Sequence, residues 1–354
     1  MASSGRESRA APARVLIVDD SLVARTVLAR LIEDHGGFTV VGSARGAAEA
    51  LAMLDDRAVD LILLDVEMPG TDGLTALPAL IERSGGARVL IVSSQCGSGA
   101  AASVRALTLG AVDTMLKPSA AQFGGAFANE LTERLARIVS DPTPRRAAAP
   151  AAPVRDAVIL RRDAVRCLAI GASTGGPHAL AAFLGALSPA FRAPILLTQH
   201  LPPSFMPFFA DQLRELSGRP VAVAVDGARL AGGAILLAPG DAHLALRRRE
   251  DGEVAVALDR TPAASGCCPS VDPMLVAVAE TFGAQGAGVI LTGMGRDGLA
   301  GSTRLAAAGG EILVQDAATS VVWGMPGAVA GAGLADLIAP PALLAQTIAA
   351  RGSA

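Results

Sequence analysis

The chain has 354 residues, 51% of them hydrophobic and 18% charged, which at about 100 to 200 residues per domain predicts two domains and excludes a disordered polymer. Thirty Lys and Arg stand against 33 Asp and Glu, a formal net charge of −3, so no general positive field exists to hold nucleic acid or an anionic membrane. The four cysteines, Cys96, Cys167, Cys267 and Cys268, form no CxxC pair and have no histidine at metal spacing, so neither a disulfide framework nor a zinc site is predicted. Met1 to Ala13 carries Arg6, Glu7 and Arg9 and has no apolar signal segment, which together with the cysteine usage leads to a cytoplasmic expectation.

From Arg14 onward, short β-branched runs alternate with Ala/Leu-rich helical patterns. RVLIVDD, FTVVGSA, DLILLDV, RVLIVSS and AVDTMLKP read as five strands, each followed by a helix, the last helix reaching about Val139. Continuous apolar strands with crossover helices predict a doubly wound parallel sheet buried on both faces. Residues 140–162 are rich in Pro, Ala and Arg and read as a linker. Beyond it a second, larger α/β domain with a mainly parallel sheet is expected over 163–354, with an antiparallel excursion around His243 to Asp259. The uncharged stretch Ala317 to Ala335 approaches the length of a membrane span. Pro326 and Gly324, Gly327, Gly331 and Gly333 make it a poor helix, so it reads as turns and close packing.

In open parallel sheets functional groups gather at the carboxyl ends of the strands. In the first domain those ends carry Asp19 and Asp20, Asp65, Ser93 and Lys117. Three converging carboxylates call for a hard divalent cation, and an all-oxygen set suits Mg²⁺. With LIVDDS, LLDVEMPGTDG, VLIVSS and LKP, residues 13 to 139 resemble a response-regulator receiver, following a 1–12 tail. The resemblance implies phosphorylation at Asp65. It also implies Mg²⁺ ligation by Asp19, Asp20, Asp65 and the Glu67 carbonyl, phosphoryl sensing by Ser93 and Lys117, and a cis bond before Pro118. Thr114 stands where receivers commonly carry an aromatic residue.

In the second domain Gly171-Ala172-Ser173-Thr174-Gly175 follows a strand and precedes a helix, the pattern of an exposed nucleophilic serine. Of the four histidines, His200 ends a strand on the same sheet edge and is the best base. His35 reads as a helix-end residue, His178 lies on the helix after Ser173, and His243 begins the antiparallel excursion. Asp297, in VILTGMGRDG, can orient His200. Gly293, Gly295 and Gly298 also match the dinucleotide fingerprint, with Asp316 near the place of a ribose-binding acid, so a nicotinamide-dinucleotide oxidoreductase stays open at this point. A catalytically inactive phospho-signalling adaptor is a further alternative.

IGASTGGP, LTQHLPP, PSVDPM, LTGMGRDG and SVVWGMPGAV together resemble the catalytic domain of the CheB family of chemotaxis protein-glutamate methylesterases, and the order receiver, linker, esterase is that family's order. The resemblance implies a phosphorylation-activated esterase acting on glutamate γ-methyl esters of chemoreceptor cytoplasmic helices, with glutamine deamidation beside it. It implies a Ser173, His200, Asp297 triad, with Met294 as oxyanion donor and Thr174 in support. The esterase reaction then needs no cofactor, the phosphodonor is the histidine kinase CheA, and neither nucleic acid nor membrane insertion is involved. In that family the unphosphorylated receiver covers the active site. Cys268 departs from the family, which usually has Arg before PSVD.

Overall fold

The computed structural model describes residues 11–93, 97–118, 125–140 and 164–351. The expected tail up to residue 10, Cys96 and the expected linker beyond Ser140 lie outside them. The described chain contains two compact units.

The first sheet arises from β1 (Ala13–Val18), β2 (Phe38–Ala44), β3 (Leu61–Leu64), β4 (Arg88–Ser93) and β5 (Asp113–Leu116), alternating with α1 (Leu22–Asp34), α2 (Ala47–Asp56), α3 (Gly73–Arg83), α4 (Gly97–Thr108) and α5 (Gly125–Ser140). Their order is β2-β1-β3-β4-β5, the flavodoxin-like order, whose switch point lies between β1 and β3. All four residues of β3 are buried, because helices cover both faces of the sheet. The helices begin where side chains satisfy free N–H groups: Ser21 Oγ accepts from Ala24 N at 3.3 Å and Asp72 Oδ1 from Thr75 N at 2.7 Å.

The second unit contains β6 (Cys167–Ala172), α6 (Gly176–Ala186), β7 (Ile195–Gln199), α7 (Met206–Ser217), β8 (Val221–Val223), β9 (Ile235–Leu237), β10 (His243–Arg248), β11 (Val254–Asp259) and α8 (Val271–Phe282). It continues with β12 (Gly286–Ile290), α9 (Leu299–Ala307), β13 (Glu311–Gln315), α10 (Gly324–Gly331), β14 (Leu337–Ala339) and α11 (Pro341–Ala349). Seven strands pair in the order β14-β13-β12-β6-β7-β9-β8, all in parallel. From β6 the chain passes to β7, crosses to the edge strand β8, comes back to insert β9 between them, and then builds the other half from β12. The carboxyl ends of β6 and β12 therefore flank the switch point, where an open α/β sheet places its ligand crevice. The expected antiparallel excursion is the hairpin β10–β11, with His243 opposite Asp259.

The stretch read as turns contains a helix. Residues Gly324–Gly331 form α10, with Pro326 in its first turn, where no backbone donor is lost. Met325, Pro326 and Val329 are buried, so packing overrides weak helix propensity. The short β14 was also not expected from the sequence.

Candidate active site and phosphoacceptor site

Each half of the second sheet contributes to one edge. Ser173 follows β6, His200 follows β7, and the loop holding Asp297 follows β12. Gly175, with φ +77°, closes the turn after Ser173 and begins α6, a left-handed conformation that glycine adopts without strain. Gly293 lets the two central strand ends approach: a Cβ there would sit 2.3 Å from Met325 Sδ and 2.9 Å from Ser173 Cβ.

His200 Nε2 and Asp297 Oδ2 are 2.8 Å apart. Asp297 is only 2% exposed and saturated with donors. Oδ2 also accepts from Val271 N at 2.7 Å, while Oδ1 accepts from Ser270 Oγ at 2.7 Å, Gly298 N at 3.1 Å and Asp272 N at 3.3 Å. Burial pushes the Asp297 carboxyl up, but the hydrogen bond and charge of His200, the Ser270 hydroxyl and the Val271 N–H outweigh it and bring it down to about 2. An ionised carboxylate only accepts hydrogen bonds. The proton between the two groups therefore belongs to Nε2, and in the neutral imidazole Nδ1 keeps the lone pair that can act as a base.

Ser173 is half-buried and pinned through its backbone: its N–H donates to the Thr292 carbonyl at 3.0 Å, and its carbonyl accepts from Gln199 Nε2 at 2.9 Å. Among the described residues no hydrogen bond joins Ser173 Oγ to His200. Catalytic hydrogen bonds are often loose in unliganded enzymes. Met294 is half-buried beside this turn, and no hydrogen bond of its N–H occurs among the described residues. Thr174 is buried, its carbonyl accepting from Thr292 Oγ1 at 3.0 Å.

In the first unit, Lys117 Nζ bridges Asp19 Oδ2 at 2.6 Å and Asp65 Oδ2 at 2.8 Å. Carboxylate oxygens of Asp19, Asp20 and Asp65 lie within 4.8 Å of one another, a donor set that fits a hard divalent cation. Burial raises the Asp65 carboxyl above the ordinary carboxylate range despite Lys117. Burial would lower Lys117, yet the bonds to Asp19 and Asp65 prevail and raise it. Glu67 N–H donates to Asp65 Oδ1 at 3.1 Å, which sets that peptide beside the carboxylate. Ser93 is fully buried, and its carbonyl accepts from Lys117 N at 2.7 Å. One expectation fails: the cis peptide bond among the described residues is Cys268–Pro269, not Lys117–Pro118, which keeps the trans form favoured by about 0.5–1 kcal/mol.

Comparison with known proteins assigns these two sites to domains. The family model "CheB methylesterase" matches residues 168–348, and "Response regulator receiver domain" matches residues 15–123. A protein-glutamate methylesterase/protein-glutamine glutaminase of Caulobacter vibrioides is 40% identical over 346 residues, covering 96% of this chain and 98% of that one. The chain belongs to the CheB methylesterase family. A Maricaulis maris relative of the same description is 38% identical over 370 residues, covering 92% of each chain. The crystal structure of the Thermotoga maritima CheB methylesterase catalytic domain matches with a TM-score of 0.51 at 36% identity, covering 52% of this chain and 98% of that one.

Family membership and geometry together remove the dinucleotide alternative. Asp297 fills the glycine-rich turn from within, taking the Gly298 N–H that a pyrophosphate would need at the start of α9. Asp316 caps its own turn by accepting from Thr319 N at 3.0 Å. Several supporting residues have no signature of their own in the sequence. Ser270 holds Asp297 and caps α8. His243, only 1% exposed, accepts from Ser270 N through Nδ1 and donates to the Thr261 carbonyl through Nε2, both at 2.9 Å. It is therefore a neutral structural histidine. Gln315 Oε1 accepts from Thr292 N at 2.7 Å and so steadies the strand end under Ser173. Among the described residues no helix is long and apolar enough to cross a membrane.

Proposed function

We propose that this chain hydrolyses glutamate γ-methyl esters on the cytoplasmic helices of chemoreceptors, and the corresponding glutamine amides, under control of phosphorylation at Asp65. The observation that carries the esterase half is the His200 Nε2–Asp297 Oδ2 pair at 2.8 Å on the sheet edge that presents Ser173. Ser173 Oγ attacks the ester carbonyl while His200 Nδ1 takes its proton. His200 then returns that proton to the departing methanol. A water, deprotonated in turn by Nδ1, attacks the acyl-serine, releasing the glutamate carboxylate and restoring Ser173. The Met294 N–H meets the oxyanion, a contribution of about 2.7–4 kcal/mol for one such donor. Asp297 holds the proton on Nε2 and stabilises the imidazolium formed in each half-reaction.

In the receiver, Asp19, Asp20, Asp65 and the Glu67 carbonyl would hold Mg²⁺. When bound, that ion supplies positive charge against the incoming phosphoryl oxygens. Asp65 accepts the phosphoryl group from a histidine kinase of the CheA type, and Lys117 and Ser93 bind its oxygens. Methanol release from methylated receptor, with Ser173→Ala as the control, tests the esterase reading, and equal rates in the two proteins would reject it.

A further inference from the structure

The reaction uses His200 and Asp297 and leaves a third reactive group beside them unemployed. Cys267 is half-buried in the turn before α8. Its Sγ, one imidazole nitrogen of His200 and one carboxylate oxygen of Asp297 all lie within 4.8 Å of one another. These three ligand types come from chain positions far apart in sequence, so neither a CxxC pair nor a local histidine announces them. Thiolate and imidazole nitrogen favour soft or borderline divalent ions, and three protein ligands with an open fourth position suit zinc.

The geometry can close. Metal–ligand bonds of about 2.3 Å to sulfur and 2.0–2.2 Å to nitrogen and oxygen set donor atoms roughly 3.3–3.6 Å apart in a tetrahedron. Asp297 cannot move far, being fixed by Ser270, Val271, Asp272 and Gly298. Cys267 lies in a turn whose residues 264–266 are exposed, and its Sγ donates over a long 3.9 Å to the Ser265 carbonyl, a bond that a sulfur–metal bond replaces.

The geometry points to a binding site for a soft divalent cation of the zinc class, formed by Cys267, His200 and Asp297, whose occupation shuts off the serine chemistry. The thiol proton leaves to solvent as the sulfur–metal bond forms. A cation shared with Asp297 sits on Nε2, in place of the proton between the two groups; that proton moves to Nδ1 and removes the lone pair that must take the serine proton. The inhibitory half rests on the esterase reading above; the binding half does not.

The test uses the full chain with Co²⁺ as a spectroscopic probe and Zn²⁺ as competitor. One equivalent of Co²⁺ is expected to give a thiolate-to-cobalt charge-transfer band that Zn²⁺ abolishes. The acidic trio of the receiver, having only oxygen donors, gives no such band. Cys267→Ser and Cys267→Ala should lose the band and bind Zn²⁺ at least about tenfold more weakly, while Cys268→Ser, altering the exposed neighbouring thiol, keeps both. Saturating Zn²⁺ should lower methanol release at least tenfold in the wild type and in Cys268→Ser but not in the Cys267 variants, with recovery on adding a chelator selective for zinc over magnesium. Absence of the band in the wild type, its survival without Cys267, or equal zinc inhibition with and without Cys267 would overturn the site. A wild type inactive even without zinc would instead reject the esterase reading, and the cobalt spectrum would then decide the site alone.

Discussion

Replacing Asp297 by Asn keeps the shape of the side chain and changes one oxygen into a donor. On one side of the carboxylate three donors converge, Ser270 Oγ, Asp272 N and Gly298 N; on the other there are two, His200 Nε2 and Val271 N. The amide oxygen should take the side with three donors, which turns the NH₂ toward His200 and Val271. His200 must then accept at Nε2, its proton moves to Nδ1, and the lone pair proposed to take the serine proton is gone. In a serine protease the equivalent change lowers kcat by about 10⁴, or about 5.4 kcal/mol of barrier, and the same magnitude is expected here. The Val271 N–H is left facing a donor at a buried site, which costs about 1–3 kcal/mol of stability. Initial rates of methanol release, read beside a urea midpoint, check both numbers. Turnover within about tenfold of the wild type, in a protein shown to be folded, would refute the tautomer argument, because an amide that turns its NH₂ to His200 cannot hold the proton on Nε2.

Other consequences are open to measurement. Ser173→Ala should lose about 10⁶ in turnover, the scale seen when a triad serine is removed, with the urea midpoint nearly unchanged; residual turnover within about 100-fold would point to another nucleophile. Ser270→Ala removes a hydroxyl that donates to a buried charge, an interaction of about 1.5–3 kcal/mol, and turnover should fall roughly tenfold or more as Asp297 loosens; an unchanged rate would show that the backbone donors suffice. Asp65→Ala should abolish labelling by a small phosphodonor with Mg²⁺, and undiminished labelling would move the phosphoacceptor elsewhere. The folded-state value of Asp297 is depressed to about 2 from about 3.9 unfolded, so its contribution is complete above the unfolded value and is lost as pH falls toward the folded one. The stability gap between wild type and Asp297→Asn should therefore shrink as pH falls below about 4, by up to roughly 2 kcal/mol; a gap that stays constant from about pH 4.5 down to about pH 3 would contradict that assignment. Residues 163–354 alone should hydrolyse ester faster than the unphosphorylated full chain, and a folded fragment that is no faster would reject restraint by the receiver.

The sheet and its strand ends were legible because buried parallel strands leave continuous apolar runs, and a polar residue that ends such a run sits at a functional edge. DLILLDV and PILLTQH show their Asp65 and His200 in this way. Where packing decides the structure, legibility fails. The helix Gly324–Gly331 is built from residues of poor propensity and is held by burial of Met325 and Val329. The sequence also supplied four histidines with no means of seeing that His243 is consumed by Ser270 N and the Thr261 carbonyl. Nor could it show which imidazole nitrogen meets Asp297, since that depends on how the β7 end and the loop after β12 are set side by side. Cys267 was invisible for the same reason: its neighbours His200 and Asp297 lie 67 and 30 positions away in the sequence.

Two buried carboxylates, Asp65 directly after β3 and Asp297 in the loop between β12 and α9, differ in donor supply, and the difference suits the separate roles proposed for them. Asp297 accepts five hydrogen bonds, and its carboxyl is held far down. With its lone pairs committed it is a poor nucleophile and a good fixed charge, suited to orienting a neighbour. Asp65 accepts from Lys117 Nζ and Glu67 N, and its carboxyl is raised by burial. Burial without saturation leaves electron density that an incoming phosphorus atom can take, provided positive charge cancels the repulsion between anions. Lys117 supplies part of that charge, and the Asp19, Asp20 and Asp65 oxygens can gather the rest by holding a cation. Saturating Asp65 with further donors should thus slow phosphoryl acceptance even if the cation stays bound, whereas stripping donors from Asp297 should loosen an imidazole without creating a second nucleophile. The distinction lies in the backbone around each acid: the turn after β12 folds N–H groups inward around Asp297, while the turn after β3 gives Asp65 one.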